Sequence, residues 1–130
     1  MYKEDIELAK KARLNACSPY SNFEVGTALR TKSGKVYTGS NIENHGIQGI
    51  CAERTAFVKA LSEGEREFKS ITIVGAKKNE EVKEKCMPCG YCRQFMSEYV
   101  DKDFKIVVVN ADDSYEEYSI EDLLPHSFDF

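Results

Sequence analysis

The start of the chain shows a regular spacing of apolar residues. Between residues 2 and 16, Tyr2, Ile6, Ala9, Ala12 and Ala16 recur at steps of three and four. This spacing places them on one face of a helix and leaves the charged residues on the other. The pattern predicts an amphipathic helix over residues 2–16, which the turn-forming sequence SPYSN then ends.

After this helix the apolar pattern becomes that of β-strands. Residues 23–31 (FEVGTALRT) and 35–43 (KVYTGSNIE) predict two strands of a hairpin joined by a glycine-containing turn. Residues 69–76 and 104–110 are short apolar runs rich in β-branched residues, which is typical of buried strands. Residues 114–120 predict an edge strand.

Three later segments predict helices. Residues 51–63 are strong helix formers, and the glycine that follows them is a frequent helix stop. A second helix is predicted from Pro88 to about Tyr99, because proline suits the first helical position. Residues 120–125 (IEDLLP) predict a short terminal helix.

These elements and the chain length predict one domain over residues 1–130. The order of helices and strands places it in the α/β class. We expect a three-layer α/β/α sandwich, in which a mixed sheet of about five strands carries helices on both faces.

The charge and the cysteine content limit which partners and which cellular compartment are expected. Lysine and arginine number 18 against 22 acidic residues, which gives a net charge of −4. Nucleic acid and anionic membranes are therefore not expected as partners, since both favour a basic surface.

The longest apolar runs are too short to span a bilayer. An odd number of cysteines, five, and no apolar stretch suited to an export signal favour a reducing cytoplasm.

Three cysteines lie where two of the predicted helices begin. Cys51 starts one helix, and Cys89 and Cys92 lie three residues apart in the first turn of another. Helix N-termini stabilise thiolates, and three thiolates brought together make a soft site suited to zinc. From the C-x-x-C spacing alone a structural zinc site is the default, with Cys86 as a fourth ligand. An iron–sulfur site is also compatible with the spacing of Cys86, Cys89 and Cys92, but it is the weakest alternative.

Glu53 distinguishes a catalytic zinc site from a structural one. It follows Cys51 by two residues, so it would stand beside the metal. A hydrolytic zinc site needs a carboxylate that takes a proton from water and passes it to the substrate. A structural zinc site has no use for such a group, and the pattern therefore favours catalysis.

These motifs resemble those of the zinc-dependent cytidine deaminases of the small, homotetrameric type. CAERTA (51–56) and PCGYCRQ (88–94) are similar to the family's C-A-E and P-C-x-x-C motifs. PYSNFEVGTAL (19–29), GKVYTGSNIEN (34–44) and EDLLPHSF (121–128) match in the same order. The resemblance covers nearly the whole chain, and it implies hydrolysis of cytidine and deoxycytidine to uridine and deoxyuridine, with release of ammonia.

The resemblance also implies roles for individual residues. Cys51, Cys89 and Cys92 would bind one Zn²⁺ per subunit, and Glu53 would carry the protons. Phe23 would pack on the base or ribose, while Asn41 and Glu43 would bind the ribose hydroxyls. Phe128 would cover the base in a neighbouring subunit's site, so the nucleoside site would need a homotetramer.

Three thiolates on one zinc leave excess negative charge, which weakens the metal as a Lewis acid. Arg54 can offset part of this charge by donating hydrogen bonds to the sulfurs. We therefore expect Arg54 to support the metal site.

Two positions depart from the family pattern. Residues 45–50 (HGIQGI) form a loop about one residue shorter than usual, and Tyr91 stands inside the C-x-x-C motif where a small residue is common. A ring at position 91 must point away from the metal or crowd the pocket. These departures fit a deaminase of a modified pyrimidine nucleoside or blasticidin-like analogue, which is one alternative. The other is a non-catalytic zinc-binding module in which Cys86 completes a four-cysteine site.

Overall fold

The computed structural model describes residues 1–46 and 48–128. Its helices are α1 (Lys3–Arg13), α2 (Ala52–Ser62), α3 (Gly90–Ser97) and α4 (Ile120–Leu123), with a short 3-10 helix at Ala111–Asp113. Its strands are β1 (Phe23–Thr31), β2 (Val36–Ser40), β3 (Phe68–Lys77), β4 (Lys105–Val109) and β5 (Tyr115–Tyr118). Among the described residues, no helix combines the length and apolarity needed to cross a bilayer.

The strands form one mixed sheet in the order β2-β1-β3-β4-β5. β3 and β4 are parallel, whereas the other neighbouring pairs are antiparallel. β3 and β4 are almost entirely buried, as their continuous apolar sequences predict. The predicted α/β class and five-stranded mixed sheet are confirmed.

Apolar side chains fill two cores, one on each face of the sheet. On one face, Ile6 and Ala9 of α1 pack with Val74 and Val107 of the central strands. On the other face, the core is built around Phe57 of α2 and its aromatic neighbours, Phe68, Phe95 and Phe104. The sheet therefore lies between helices, as expected for a three-layer sandwich.

Two glycines let helices approach the sheet closely. A Cβ atom on Gly39 of β2 would lie 2.4 Å from the carbonyl oxygen of Ala52, at the start of α2. A Cβ on Gly26 of β1 would meet the carbonyl oxygen of Ala9 in α1 at 2.0 Å. Thr27 also donates a hydrogen bond to the Ala52 carbonyl at 3.0 Å. The sheet thus fixes the position of the first turn of α2, where Cys51 and Glu53 lie.

Helix boundaries differ from those expected, most clearly at the end of α1 and at the start of α3. α1 ends at Arg13 rather than at residue 16, because the chain turns to pair with the segment that follows β2, where Cys17 donates its N–H to the Asn41 carbonyl. α3 begins at Gly90, and Pro88 precedes the extended N-cap residue Cys89 instead of occupying the first helical position. The shift leaves Cys89 at the exposed start of the helix.

Candidate active site

The three candidate zinc ligands meet where two helices begin. Cys51 is the N-cap residue of α2, and Cys89 is the N-cap residue of α3. Cys92, in the first turn of α3, is fully buried. The three Sγ atoms all lie within 4.8 Å of one another, and those of Cys51 and Cys89 are 3.7 Å apart.

The spacing of these sulfurs fits zinc. In a tetrahedral site with Zn–S bonds of about 2.3 Å, two sulfurs are separated by about 3.8 Å. Three sulfur donors occupy three corners of the tetrahedron, which leaves a fourth position for water or substrate. The arrangement therefore suits a catalytic zinc ion better than a closed structural one.

The thiols of Cys51 and Cys92 interact, and their pKa values shift in opposite directions. The Cys92 thiol hydrogen-bonds to the Cys51 sulfur and lowers the pKa of Cys51 to about 5, with further hydrogen bonds from Arg54 and Cys89 acting in the same direction. The same interaction with Cys51, together with burial, raises the pKa of Cys92. Of these two sulfurs, Cys51 therefore carries negative charge more readily than Cys92.

Glu53 is a buried carboxyl group in the first turn of α2. Only 4% of its surface is exposed. Burial raises its pKa to about 7, and the nearby charge of Cys51 acts in the same direction. A carboxyl group that titrates near neutrality can both accept and donate a proton, which is what general acid–base catalysis requires.

Arg54 links the sulfur cluster to Tyr91. Its Nη2 donates a hydrogen bond to Cys51 Sγ at 3.7 Å. The guanidinium carbon lies 4.2 Å from the centroid of the Tyr91 ring. Tyr91 is 68% exposed, so its ring covers the arginine and does not fill the core. This contact was missed in the sequence, where the only signal was an aromatic residue between two candidate ligands.

Cys86 lies beside the cluster but does not belong to it. The group of cysteines able to hold a metal among the described residues contains Cys51, Cys89 and Cys92. Burial raises the pKa of Cys86 to about 12, and the charges of Glu53, Cys51 and Cys89 contribute. Cys86 packs against Gly75, since a Cβ atom added to Gly75 would lie 2.7 Å from the Cβ of Cys86.

Comparison with known proteins identifies the family. The family model described as "Cytidine and deoxycytidylate deaminase zinc-binding region" matches residues 2–109. The chain belongs to this deaminase family. Its cofactor is therefore zinc, for which the three cysteines form the candidate site.

Individual relatives of this deaminase agree with that assignment. A "Probable cytidine deaminase" of Dictyostelium discoideum is 43% identical over 95% of this chain and 80% of the relative. A crystal structure of cytidine deaminase from Burkholderia pseudomallei superposes with a TM-score of 0.89, at 43% identity, over 98% of this chain and 99% of that one. A "Blasticidin-S deaminase" of Bacillus cereus is less similar, at 31% identity over 95% of this chain and 91% of the relative.

Phe23 and Asn41 lie together at the start of β1. Asn41 Oδ1 accepts a hydrogen bond from the Val25 N–H at 2.8 Å, and its Nδ2 donates to the Phe23 carbonyl at 3.0 Å. The Phe23 ring borders Gly75, next to Cys86. In this deaminase Asn41 therefore fixes the backbone that carries Phe23, a contact that only the folded chain reveals.

Glu43 is held by the loop that precedes β1. Its carboxylate accepts hydrogen bonds from the backbone N–H groups of Tyr20 and Ser21 and from the Ser21 hydroxyl. The bond from the Ser21 hydroxyl is the main reason that the pKa of Glu43 is lowered. The loop therefore holds Glu43 as a half-buried carboxylate whose orientation is fixed.

The remaining predicted site residue, Phe128, lies beyond α4. It is 64% exposed within one chain. The last two residues of the segment HSFDF, at positions 129 and 130, lie outside the described residues. Residue 47 of the shortened loop also lies outside them, whereas His45 contacts the Tyr20 ring edge to face, with centroids 4.7 Å apart.

Proposed function

We propose that this deaminase hydrolyses cytidine and deoxycytidine to uridine and deoxyuridine with release of ammonia, as part of pyrimidine salvage. The observation that carries the proposal is the buried Glu53, with a pKa of about 7, in the helical turn that follows the ligand residue Cys51. Similarity to proteins named cytidine deaminase supports the choice of substrate.

Each group at the site has a role in this proposal. Cys51, Cys89 and Cys92 hold zinc, which when bound acts as a Lewis acid and lowers the pKa of water. Glu53 accepts one proton of the attacking water and delivers it to N3 of the pyrimidine. It then takes the proton of the new hydroxyl group on C4 and gives it to the amine, which leaves as ammonia while the C4 carbonyl forms. Its burial supports this role, because burial raises its pKa to about 7. A carboxyl group with such a pKa can both accept and donate a proton near neutral pH.

The nucleoside itself is bound by residues on the hairpin side of the sheet. We assign Phe23 to the face of the base or ribose, and Asn41 and Glu43 to the ribose hydroxyls. Hydrogen bonds to the backbone already fix the side chains of Asn41 and Glu43. Binding of the sugar therefore costs little further side-chain entropy at these two residues.

The active form is proposed to be a homotetramer in which Phe128 covers the base in a neighbouring subunit's site. The exposed position of Phe128 at the end of the described chain supports this role. Sedimentation velocity at assay concentrations should show a tetramer, and a fully active monomer would refute it. We also place the enzyme in the cytoplasm, because none of its five cysteines, all of which lie within the described residues, forms a disulfide.

The function is tested by ammonia release from the purified, zinc-loaded protein. We expect turnover of cytidine and deoxycytidine, and a kcat/KM for blasticidin S at least about tenfold lower, equivalent to 1.4 kcal/mol in the transition state. Zinc-stripped protein is the control and should release no ammonia. A higher kcat/KM for blasticidin S would overturn the choice of substrate. The absence of turnover while zinc stays bound would instead indicate a non-catalytic zinc module.

A non-catalytic zinc module is less consistent with the site. Burying a carboxyl group costs free energy, and a structural site gains nothing from Glu53 that would offset this cost. Cys86, the residue needed to close such a site, stands outside the group of metal-binding sulfurs.

A further inference from the structure

Arg54 contacts a sulfur on one side and an aromatic ring on the other. Its Nη2 reaches Cys51 Sγ at 3.7 Å, while its guanidinium carbon stacks 4.2 Å from the centre of the Tyr91 ring. Arg54 lies on α2 and Tyr91 on α3. The stacked pair therefore joins the first turns of the two helices that carry the zinc ligands.

Little else in the structure fixes the orientation of Arg54. Its Nε is buried without a hydrogen-bond partner, and the hydrogen bonds seen for Arg54 within the described residues go to the sulfurs of Cys51 and Cys92. Hydrogen bonds to sulfur are long, so they fix the plane of a guanidinium less firmly than bonds to a carboxylate would. An aromatic face against the flat guanidinium fixes that plane.

We propose that Tyr91 is a positioning residue that holds the Arg54 guanidinium in hydrogen-bonding contact with the zinc-binding sulfurs. Arg54 faces Cys51 and also interacts with Cys92, so its orientation determines how much negative charge is withdrawn from two of the three ligands. Outer contacts of this kind tune the metal that the ligands hold. Tyr91 thus influences the metal site through Arg54.

The exposure of Tyr91 makes the proposal testable without damage to the fold. Because the ring is 68% exposed and belongs to neither core, its replacement should leave stability nearly unchanged. Tyr91→Leu removes the aromatic face and keeps an apolar side chain. Tyr91→Phe keeps the face. Tyr99→Leu is a matched control, because Tyr99 follows the same helix and contacts Phe95.

The first readout is the optical spectrum of protein loaded with Co²⁺ in place of zinc. A hydrogen bond to a thiolate stabilises its electrons and raises the energy of the sulfur-to-cobalt charge-transfer band. Tyr91→Leu should therefore shift this band to longer wavelength, in the same direction as Arg54→Gln. Tyr91→Phe and Tyr99→Leu should leave the band unchanged. This readout does not depend on the substrate, so it tests Tyr91 even if the proposed function fails.

The second readout is turnover by the zinc-loaded enzyme, and it rests on the proposed function. A cation–π contact at an exposed site contributes about 0.5–1 kcal/mol, so Tyr91→Leu should lower kcat about two- to fivefold with little change in KM. In an Arg54→Gln background the same substitution should have no further effect on kcat or on the cobalt band.

Three results would overturn the proposal. An unshifted cobalt band in Tyr91→Leu would show that the ring does not act on the sulfurs. A change in KM alone would make Tyr91 a substrate contact. Additive effects of Tyr91→Leu and Arg54→Gln would show that the two residues act independently.

Discussion

Replacing Glu53 by glutamine is expected to lower kcat for cytidine by about 10²- to 10⁴-fold, the usual contribution of a general acid–base group. Glutamine has nearly the same shape but cannot take up or release a proton. The site offers no obvious substitute, because the sulfurs serve as ligands and Arg54 remains protonated. The loss should appear in kcat rather than in KM, since in the proposed mechanism the carboxyl group acts on protons that move during the reaction.

The measurement is steady-state ammonia release by Glu53→Gln protein with the zinc content of the wild type. Glu63→Gln is a suitable control, because Glu63 is the C-cap residue at the other end of the same helix and binds Lys35 at the surface. Both variants should hold zinc and unfold cooperatively. If Glu53→Gln kept more than about a tenth of wild-type kcat, another group would have to carry the protons.

The metal site could be predicted because much of its information is local. The spacing of Cys89 and Cys92 places both on one face at a helix start, and Glu53 shares a helical turn with Cys51. Local sequence pattern does not show that Cys51 lies close to Cys89 and Cys92, since it is 38 positions from Cys89 in the chain. The grouping of the three cysteines was a hypothesis from their shared position at helix starts, which the resemblance to a family strengthened. The match to the zinc-binding family model confirms the family.

The contacts around the site could not be predicted in the same way. The Asn41 side chain hydrogen-bonds to the backbone of β1 across the hairpin. The sequence around an asparagine does not show which group its side-chain amide will bind. The stack of Arg54 on Tyr91 joins two helices that are distant in sequence. Sequence pattern restricted Tyr91 to pointing away from the metal or crowding the pocket, and only tertiary packing shows that it covers an arginine.

Alanine substitutions of two cysteines should distinguish a three-sulfur site from a four-sulfur one. We expect Cys89→Ala to lower zinc affinity by more than about 100-fold and to abolish turnover, because changes to outer partners of a ligand alone cost 10- to 100-fold. Cys86→Ala should retain one zinc per chain. Zinc content after dialysis against a graded series of chelator concentrations measures both affinities, with unfolding transitions recorded beside them.

The contrast between the two variants follows from their geometry. Cys89 Sγ lies 3.7 Å from Cys51 Sγ, so its removal leaves two sulfurs and opens half of the coordination sphere. Cys86 packs against Gly75 and stands outside that group, so its removal leaves the three grouped sulfurs in place. Loss of zinc from a folded Cys86→Ala protein would mean that four sulfurs surround the metal. The fourth position would then be closed to water, and the chain could not catalyse hydrolysis through it.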